Sequence, residues 1–362
     1  MDVTNIEKIL KRISLTLIII AVMIGFGFAG LFVIKLAPID ADSDKTIMFE
    51  VKNGWGVNQT LSELEKAGLI KSTFMAKVYA KINNIDSLYA GNYKVSKSMS
   101  ASELIEAMAN GENIENEVIS VTFVEGKRFP YYVTKISETF GFKEEDVYKL
   151  TSDQEYLNKL INDYWFITND ILNEQLYYPL EGYLFADTYE FKKSSTIEEV
   201  IGKMLDRMEE KLNMYKEDID VSGKSIHSLL TMASVIELEA VTPEDRLLVS
   251  GVFYNRLDAK DSLGSDVTTY YGVKKDITES LYQSEIDRCN AYNTRGNCNK
   301  GVLPVGPIAV SSESSIIAAI TPTKTKNYYF VADINNKLYF AETESGHNKN
   351  IRDLKNKGIW PE

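Results

Sequence analysis

The stretch SIHSLLTMASVIELEA, residues 225–240, decides how the second half of this 362-residue chain is read. Ile226, Leu229, Leu230, Ala233 and Glu237 follow one another at steps of three, one, three and four, the spacing of a single helical stripe turned toward a core. The stripe ends on a carboxylate. An ionised glutamate is rarely buried alone, so Glu237 calls for a salt bridge, a set of hydrogen bonds in a structural role, or a proton of its own. The last of these is the state of a general acid.

Elements on either side extend the reading. Residues 197–215 have the periodicity of a charged amphipathic helix. After Glu237, Thr242-Pro243-Glu244-Asp245 supplies an N-cap, a proline at the first helical position and acids in the first turn, which predicts a helix to about Leu257 whose positive end lies close to Glu237 in sequence. Beyond Asp258 the composition changes. LGSDVTTYYG, CNAYNTRGNC and LPVGPIAVSS are rich in Gly, Asn, Ser, Thr and Tyr. Such segments are either plain surface loops or contacts for an uncharged, hydroxyl-rich ligand such as a sugar chain. Residues 326–343 alternate as a hairpin turning at Asn335-Asn336.

Toward the N-terminus, residues 13–34 run without a charge, long enough at about 1.5 Å per residue to span a hydrocarbon core of about 30 Å. A secretory signal peptide has a shorter apolar region, about 7 to 15 residues, ending in a small-x-small cleavage site. The length favours a transmembrane helix. Lys8, Lys11 and Arg12 precede it, whereas Lys35 is followed by Asp40, Asp42 and Asp44, so the positive-inside rule places the N-terminus in the cytoplasm and the remainder outside. An extracytoplasmic location disfavours ATP or nicotinamide chemistry and makes an extracellular polymer a natural substrate.

The intervening sequence predicts a strand over 46–51, a helix over 59–67 closed by Gly68, a helix over 72–82, a strand over 89–95, and a helix capped by Ser100 with Glu103 as its capping-box partner. This plan recurs. Residues 90–108 align without gaps on residues 186–204, bringing Tyr93, Lys97, Ser98 and Met108 onto Tyr189, Lys193, Ser194 and Met204. Upstream, Gly54 and Gly126 each follow a strand end and precede a helix closed by glycine. The alternatives are an imperfect duplication and a shared supersecondary habit. In the second copy, residues 144–178 are an enlargement.

A net charge of −12 without a Lys/Arg stripe argues against a nucleic-acid partner. Two Cys and two His leave little for a metal site, and none is expected. Cys289 and Cys298 are close enough for a short disulfide loop in an extracytoplasmic domain, with two free thiols as the other possibility. Neither His227 nor His347 has a Ser or Cys that the sequence identifies as a triad partner.

Taken in order, LEGYLFADTYEF (180–191), ASVIELEA (233–240), VFYNRL (252–257), SDVTTYYG (265–272), YNT (292–294), LPVGPI (303–308), TPTKTKNYYFVAD (321–333) and HNKN (347–350) resemble the endolytic murein transglycosylases of the YceG-like type over roughly residues 46–355. Val267 and Val305 stand where the family commonly has proline, and the loop from Cys289 to Cys298 is non-standard. The resemblance implies an α+β chain with a single N-terminal transmembrane helix, a small LysM-like α+β module and a larger mixed α+β catalytic domain. Its divisions are a cytoplasmic segment 1–12, the transmembrane helix 13–36, a linker 37–45, the LysM-like module 46–116 and the catalytic domain 117–362. It further implies membrane attachment, nascent peptidoglycan strands as substrate, cell-wall synthases as partners, and no metal or organic cofactor.

By the same resemblance Glu237 matches the catalytic glutamate. Cleavage of a β-1,4 glycosidic bond needs protonation of the leaving oxygen and stabilisation of an oxocarbenium-like centre. A lytic transglycosylase manages with one carboxyl, because the muramic acid 6-hydroxyl is an internal nucleophile with the effective concentration of an intramolecular reaction. For this work Glu237 is expected to be a desolvated acid at the end of its apolar stripe, against the bland reading of a helix cap or an ion pair with Arg256. Glu239, about 200° further round the helix, points elsewhere and is expected to be structural. Asp266 is the better second carboxylate, against a turn-capping role. Asn255, Ser265, Tyr270, Tyr292, Asn293 and Thr294 are candidates for substrate contact, each against ordinary packing. Arg256 is expected in a structural ion pair, and Glu181 and Asp187 in supporting roles. The rival functions are a non-catalytic peptidoglycan-binding scaffold and a lysozyme-like muramidase in which Asp266 activates water.

Overall fold

The computed structural model describes residues 3–112 and 118–361. The chain divides into two compact units, Met1–Glu117 and Val118–Glu362. Among the described residues all sheet pairing is between two antiparallel strands, and the helices supply the rest of a mixed α+β architecture.

The first unit opens with α1 (Val3–Leu36). Its segment Leu15–Leu36 is long and apolar enough to cross a membrane, a test that a signal sequence also passes. Then follow β1 (Thr46–Val51), α2 (Val57–Lys66), α3 (Thr73–Ile82), β2 (Gly91–Ser96) and α4 (Ala101–Asn110). The expected helix at 59–67 begins two residues earlier, after Gly56, and the expected strand at 89–95 begins two residues later. Ser72 caps α3 through Met75 N, and Ser100 and Glu103 form the full capping box of α4. Phe49, Val51, Leu61, Leu64, Tyr93, Val95, Leu104 and Met108 make the core.

The second unit begins with the same arrangement, enlarged. β3 (Val118–Thr122) pairs antiparallel with β4 (Thr188–Lys192), and α5 (Phe129–Phe140), α6 (Glu144–Thr151), α7 (Gln154–Asp163) and a 3-10 turn, Asn169–Leu172, lie between them. α8 (Ile197–Asn213) follows the second strand as α4 follows β2. The aligned residues have equivalent contacts. Tyr93 Oη donates to Tyr89 O at 2.6 Å, and Tyr189 Oη donates to Phe185 O at 2.7 Å. Tyr89 N donates to Met108 O, as Phe185 N does to Met204 O. Thr196 and Glu199 repeat the capping box of Ser100 and Glu103. Matching hydrogen bonds at one constant offset go beyond a shared supersecondary habit and support duplication.

Thereafter come α9 (Lys216–Ser222), α10 (Ile226–Glu239), α11 (Pro243–Asp258), α12 (Asp266–Gly272), α13 (Gln283–Ile286), α14 (Glu313–Ile320), the hairpin β5 (Tyr329–Ala332) and β6 (Leu338–Ala341), and α15 (Glu344–Asn356). Thr242 caps α11 by accepting from Asp245 N, with Pro243 at its start. α10 is the central element and packs against α11, α12 and α14. The expectation of one apolar stripe is too narrow: from Ile226 to Ile236 every residue except Ser228 is buried, because those helices cover α10 round most of its circumference. Even His227 is enclosed, with Nδ1 2.8 Å from Tyr183 Oη and Nε2 2.8 Å from Val305 O. Close approach also locks LPVGPI against the segment that precedes β4. A Cβ at Gly182, whose φ is +76°, would lie 2.3 Å from Pro307 Cβ, so only glycine fits.

Candidate active site

Glu237 lies on the last turn of α10, its side chain only 8% exposed. Its Oε1 is 2.9 Å from Arg246 Nη2, and its Oε2 accepts from Ser312 N at 2.9 Å, Ser312 Oγ at 2.5 Å and Ser315 Oγ at 2.7 Å. The acid at the end of the apolar stripe is buried, and both of its oxygens are engaged by polar partners. The partner is Arg246, one helical turn into α11, and not Arg256. The N-terminal turn that donates to it is that of α14, with Ser312 as its N-cap, whereas α11 turns its own N-terminus to Thr242. Arg246 is 12% exposed and is itself held by Ala240 O and by the hydroxyls of Ser312 and Ser314. Nothing in the sequence joins Glu237 to serines 75 and 78 residues away. The available signal was SSESS (311–315), a capping sequence whose second serine, Ser312, proves to face the carboxylate.

Glu239 points away from this cluster, as its position round the helix predicts. Its Oε1 accepts from Ser265 Oγ at 2.5 Å. Burial pushes this carboxyl above the ordinary glutamate range, with Asp266 acting in the same sense and Ser265, Arg256 and Arg295 opposing.

The remaining candidates separate into surface and scaffold. Asp266 is exposed, with Oδ1 3.1 Å from Arg295 Nε, so in this state it is an ion-pair partner at the start of α12. Tyr270 turns its ring into a cleft while its hydroxyl donates to Glu279 O at 2.9 Å. Tyr292, Asn293 and Thr294, expected to touch substrate, are all buried. Tyr292 is packed between Tyr177 and Tyr271, with ring centroids 4.8 and 4.7 Å away. Asn293 uses its amide to hold Ile286 O and Arg288 O, and its oxygen accepts from Thr269 Oγ1 and Arg295 N. Thr294 Oγ1 lies 2.8 Å from Thr268 Oγ1 and accepts from Ser265 N. These three residues lock the 290–295 loop onto α12. A turn-rich composition cannot distinguish such a buried polar bracket from a binding loop, because both require the same side-chain donors and acceptors.

Asn255 ties α11 to the segment before β5, donating through Nδ2 to Thr325 O and Asn327 O at 2.9 Å each. Arg256 also clamps backbone: Nε donates to Tyr328 O at 2.7 Å, Nη1 donates to Leu263 O, and the guanidinium lies over the Tyr329 ring. It has carbonyl partners in place of the expected ion pair. Asp187 pairs with Arg207 Nε at 2.9 Å. Glu181 is buried, accepting from Phe129 N with both oxygens and from Tyr271 Oη, and burial pushes its carboxyl up to about 7. Cys289 and Cys298 form a disulfide across the base of the same 290–295 loop.

The profile of the YceG-like family matches residues 49–353. The chain is 34% identical to an endolytic murein transglycosylase of Bacillus subtilis (strain 168), in an alignment covering 87% of this chain and 86% of that protein. It is also 34% identical to the endolytic murein transglycosylase of Streptococcus pneumoniae (strain ATCC BAA-255 / R6), with 93% of this chain aligned to 64% of the relative, so it spans under two thirds of that protein's length. A crystal structure of a yceG-like protein from Listeria monocytogenes superposes with a TM-score of 0.60 at 31% identity, covering 85% of this chain and all of the other. With the profile running through both units and the ordered motifs around Glu237, the chain belongs to the YceG-like family.

Proposed function

We propose that this chain is an endolytic peptidoglycan lytic transglycosylase. It cleaves the β-1,4 bond between MurNAc and GlcNAc in nascent strands, leaves 1,6-anhydro-MurNAc ends and so terminates strand elongation. The observation that carries the reading is Glu237 itself: the carboxyl that matches the family's catalytic glutamate is held in one orientation by Arg246, Ser312 and Ser315. In the first step protonated Glu237 gives its proton to the glycosidic oxygen as the bond to the anomeric carbon breaks. In the second, the carboxylate takes the proton of the muramic acid 6-hydroxyl as that oxygen closes on the anomeric carbon. The proton inventory balances and no water is consumed. Arg246 and the serines hold the anionic form that exists between the two transfers. Restricting the carboxyl plane in this way favours a pre-organised site over one assembled on binding.

In this reading the helix Leu15–Leu36 anchors the chain with its N-terminus cytoplasmic and both units outside. The first unit serves as a LysM-like glycan contact and cell-wall synthases supply the nascent strands. A lysozyme-like muramidase would need a second carboxylate for its water, but Glu239 points away from the Glu237 cluster toward Ser265 and Asp266 is engaged by Arg295, which favours the lyase. Digestion of peptidoglycan with the detergent-solubilised full chain, followed by mass spectrometry, separates the readings. Products ending in 1,6-anhydro-muramic acid are expected and must disappear in Glu237→Gln. Ordinary reducing ends would replace lyase by hydrolase. Retained binding without cleavage by folded protein would leave a scaffold.

A further inference from the structure

Beside the C-terminal turn of α10 lies a cleft of about 320 Å³ lined by Gly126, Lys127, Arg128, Tyr131, Leu238, Val267, Tyr270, Asp276 and Ile277. Leu238, the residue between the two glutamates, forms part of it. The opposite wall is the turn before α5, which approaches closely: a Cβ on Gly126 would lie 3.9 Å from Leu238 Cδ2. That turn is fastened at both ends. Gly126 N donates to Val310 O at 2.8 Å and Val310 N donates to Lys127 O at 2.9 Å, two residues before the Ser312 that holds Glu237. Buried Glu181 grips Phe129 N from below. The wall is therefore pre-formed and registered to the glutamate.

Its chemistry is unlike the rest of this acidic chain. Two adjacent cations stand at the cleft. Arg128 is half-committed, donating to Lys275 O at 2.7 Å with its guanidinium over the Tyr271 ring. Lys127 is exposed, its Nζ 5.9 Å from the Tyr131 ring centroid, and it has no ion pair among the described residues. The one carboxylate in the lining, Asp276, accepts from Thr278 N at 2.9 Å and Thr278 Oγ1 at 2.6 Å and also feels the charges of Arg128 and Lys127, so the cleft sets two cations against one anion and keeps a net positive charge. Tyr131 and Tyr270 supply aromatic walls suited to a sugar face or an aliphatic side chain.

We propose that this cleft is a subsite for the carboxylate-bearing peptide substituent of the glycan strand, with Lys127 as its recognition cation. The proposal rests on the peptidoglycan reading above. In an intact strand the lactyl carboxyl of each muramic acid is tied up in the amide to its peptide, so the sugar backbone is neutral and the carboxylates that a pair of cations would meet, in a chain of net charge −12, belong to the peptide. A peptide substituent with free carboxylates matches both the charge and the pre-formed wall.

The test compares the full chain in detergent on two preparations of the same peptide-bearing strands, one with its peptide carboxylates free and one with them converted to neutral methylamides by carbodiimide coupling. Wild type is expected to cleave the free-carboxylate strands with the lower KM. Lys127→Ala should raise that KM about tenfold while leaving the amidated strands within about twofold, and Lys127→Arg should restore it. Raising the ionic strength should erode the wild-type preference. Equal effects of Lys127→Ala on both substrates, or no effect on either, would overturn the subsite. If wild type cleaves neither preparation, the lyase reading fails separately. The subsite then stands or falls on binding: free-carboxylate strands must bind wild type more tightly than Lys127→Ala, and equal binding refutes it.

Discussion

Replacing Glu237 by glutamine and Arg246 by methionine, singly and together, separates what the pair does for the fold from what it does for the reaction. The contact is 2.9 Å long between side chains 8% and 12% exposed, which removes most of the solvent screening that makes surface ion pairs weak. Arg246→Met strands the carboxylate beside Ser312 and Ser315 and also removes donors to Ala240 O, Ser312 and Ser314. The expected cost is about 3 to 5 kcal/mol, the range for an orphaned buried charge. Glu237→Gln keeps the shape but turns an amide toward Arg246 or toward the serines, at a cost of about 2 to 3 kcal/mol. The double variant orphans neither charge. It should cost less than the sum by about 1.5 to 3 kcal/mol, the coupling of residues in one hydrogen-bonded network. In a unit of this size each kcal/mol lowers Tm by about 2 to 4 °C, so differential scanning fluorimetry with urea titration resolves the cycle. Product analysis on the same samples reads the chemistry. Glu237→Gln should be inactive while folded, and Arg246→Met should retain measurable cleavage below its lowered Tm. Additive stabilities would refute the coupling drawn from the geometry. Wild-type cleavage by folded Glu237→Gln would refute the assignment of the acid.

Two further outcomes follow from the surroundings of the site. Burial raises Glu181 from the ordinary glutamate value of 4.5 to about 7 in the folded chain, so the folded state favours the protonated form. Its contribution is fully present below about 4.5 and is lost as pH rises through about 7, roughly 3 kcal/mol in all. Urea titrations between pH 4.5 and 8 should therefore show a steeper fall for wild type than for Glu181→Gln, and parallel curves would refute the buried, protonated glutamate. The disulfide between Cys289 and Cys298, nine residues apart, closes the loop that carries Tyr292, Asn293 and Thr294. By loop entropy its loss in Cys289→Ser/Cys298→Ser should cost about 2 to 3 kcal/mol, measured by the same denaturation, and an unchanged midpoint would show that the buried bracket of Asn293 suffices alone.

Local physics made much of the chain legible before any tertiary contact was known. Ser100 and Thr242 cap their helices as expected, because a cap is a bond between a side chain and a backbone donor two or three residues away. The repeat was readable for a related reason: equal offsets in sequence carry equal hydrogen bonds, Tyr93 to Tyr89 O and Tyr189 to Phe185 O. The uncharged span near the N-terminus and the acid at the end of the central helix were likewise visible in composition and period alone.

What the tertiary structure decided was which groups meet. Periodicity could place Glu237 on a face, but not choose Arg246 over Arg256 or bring Ser312 and Ser315 from the far end of the chain. It could place Glu239 on the opposite side, but not choose Ser265 as its partner there. In the same way Tyr292, Asn293 and Thr294 resemble a sugar-binding loop in sequence, and folding buries them as the bracket that holds α12. The physical reason is common to all three. The alternatives differ in neither residue type nor local spacing, only in whether water or another segment satisfies the polar groups, and that depends on the whole chain closing round α10.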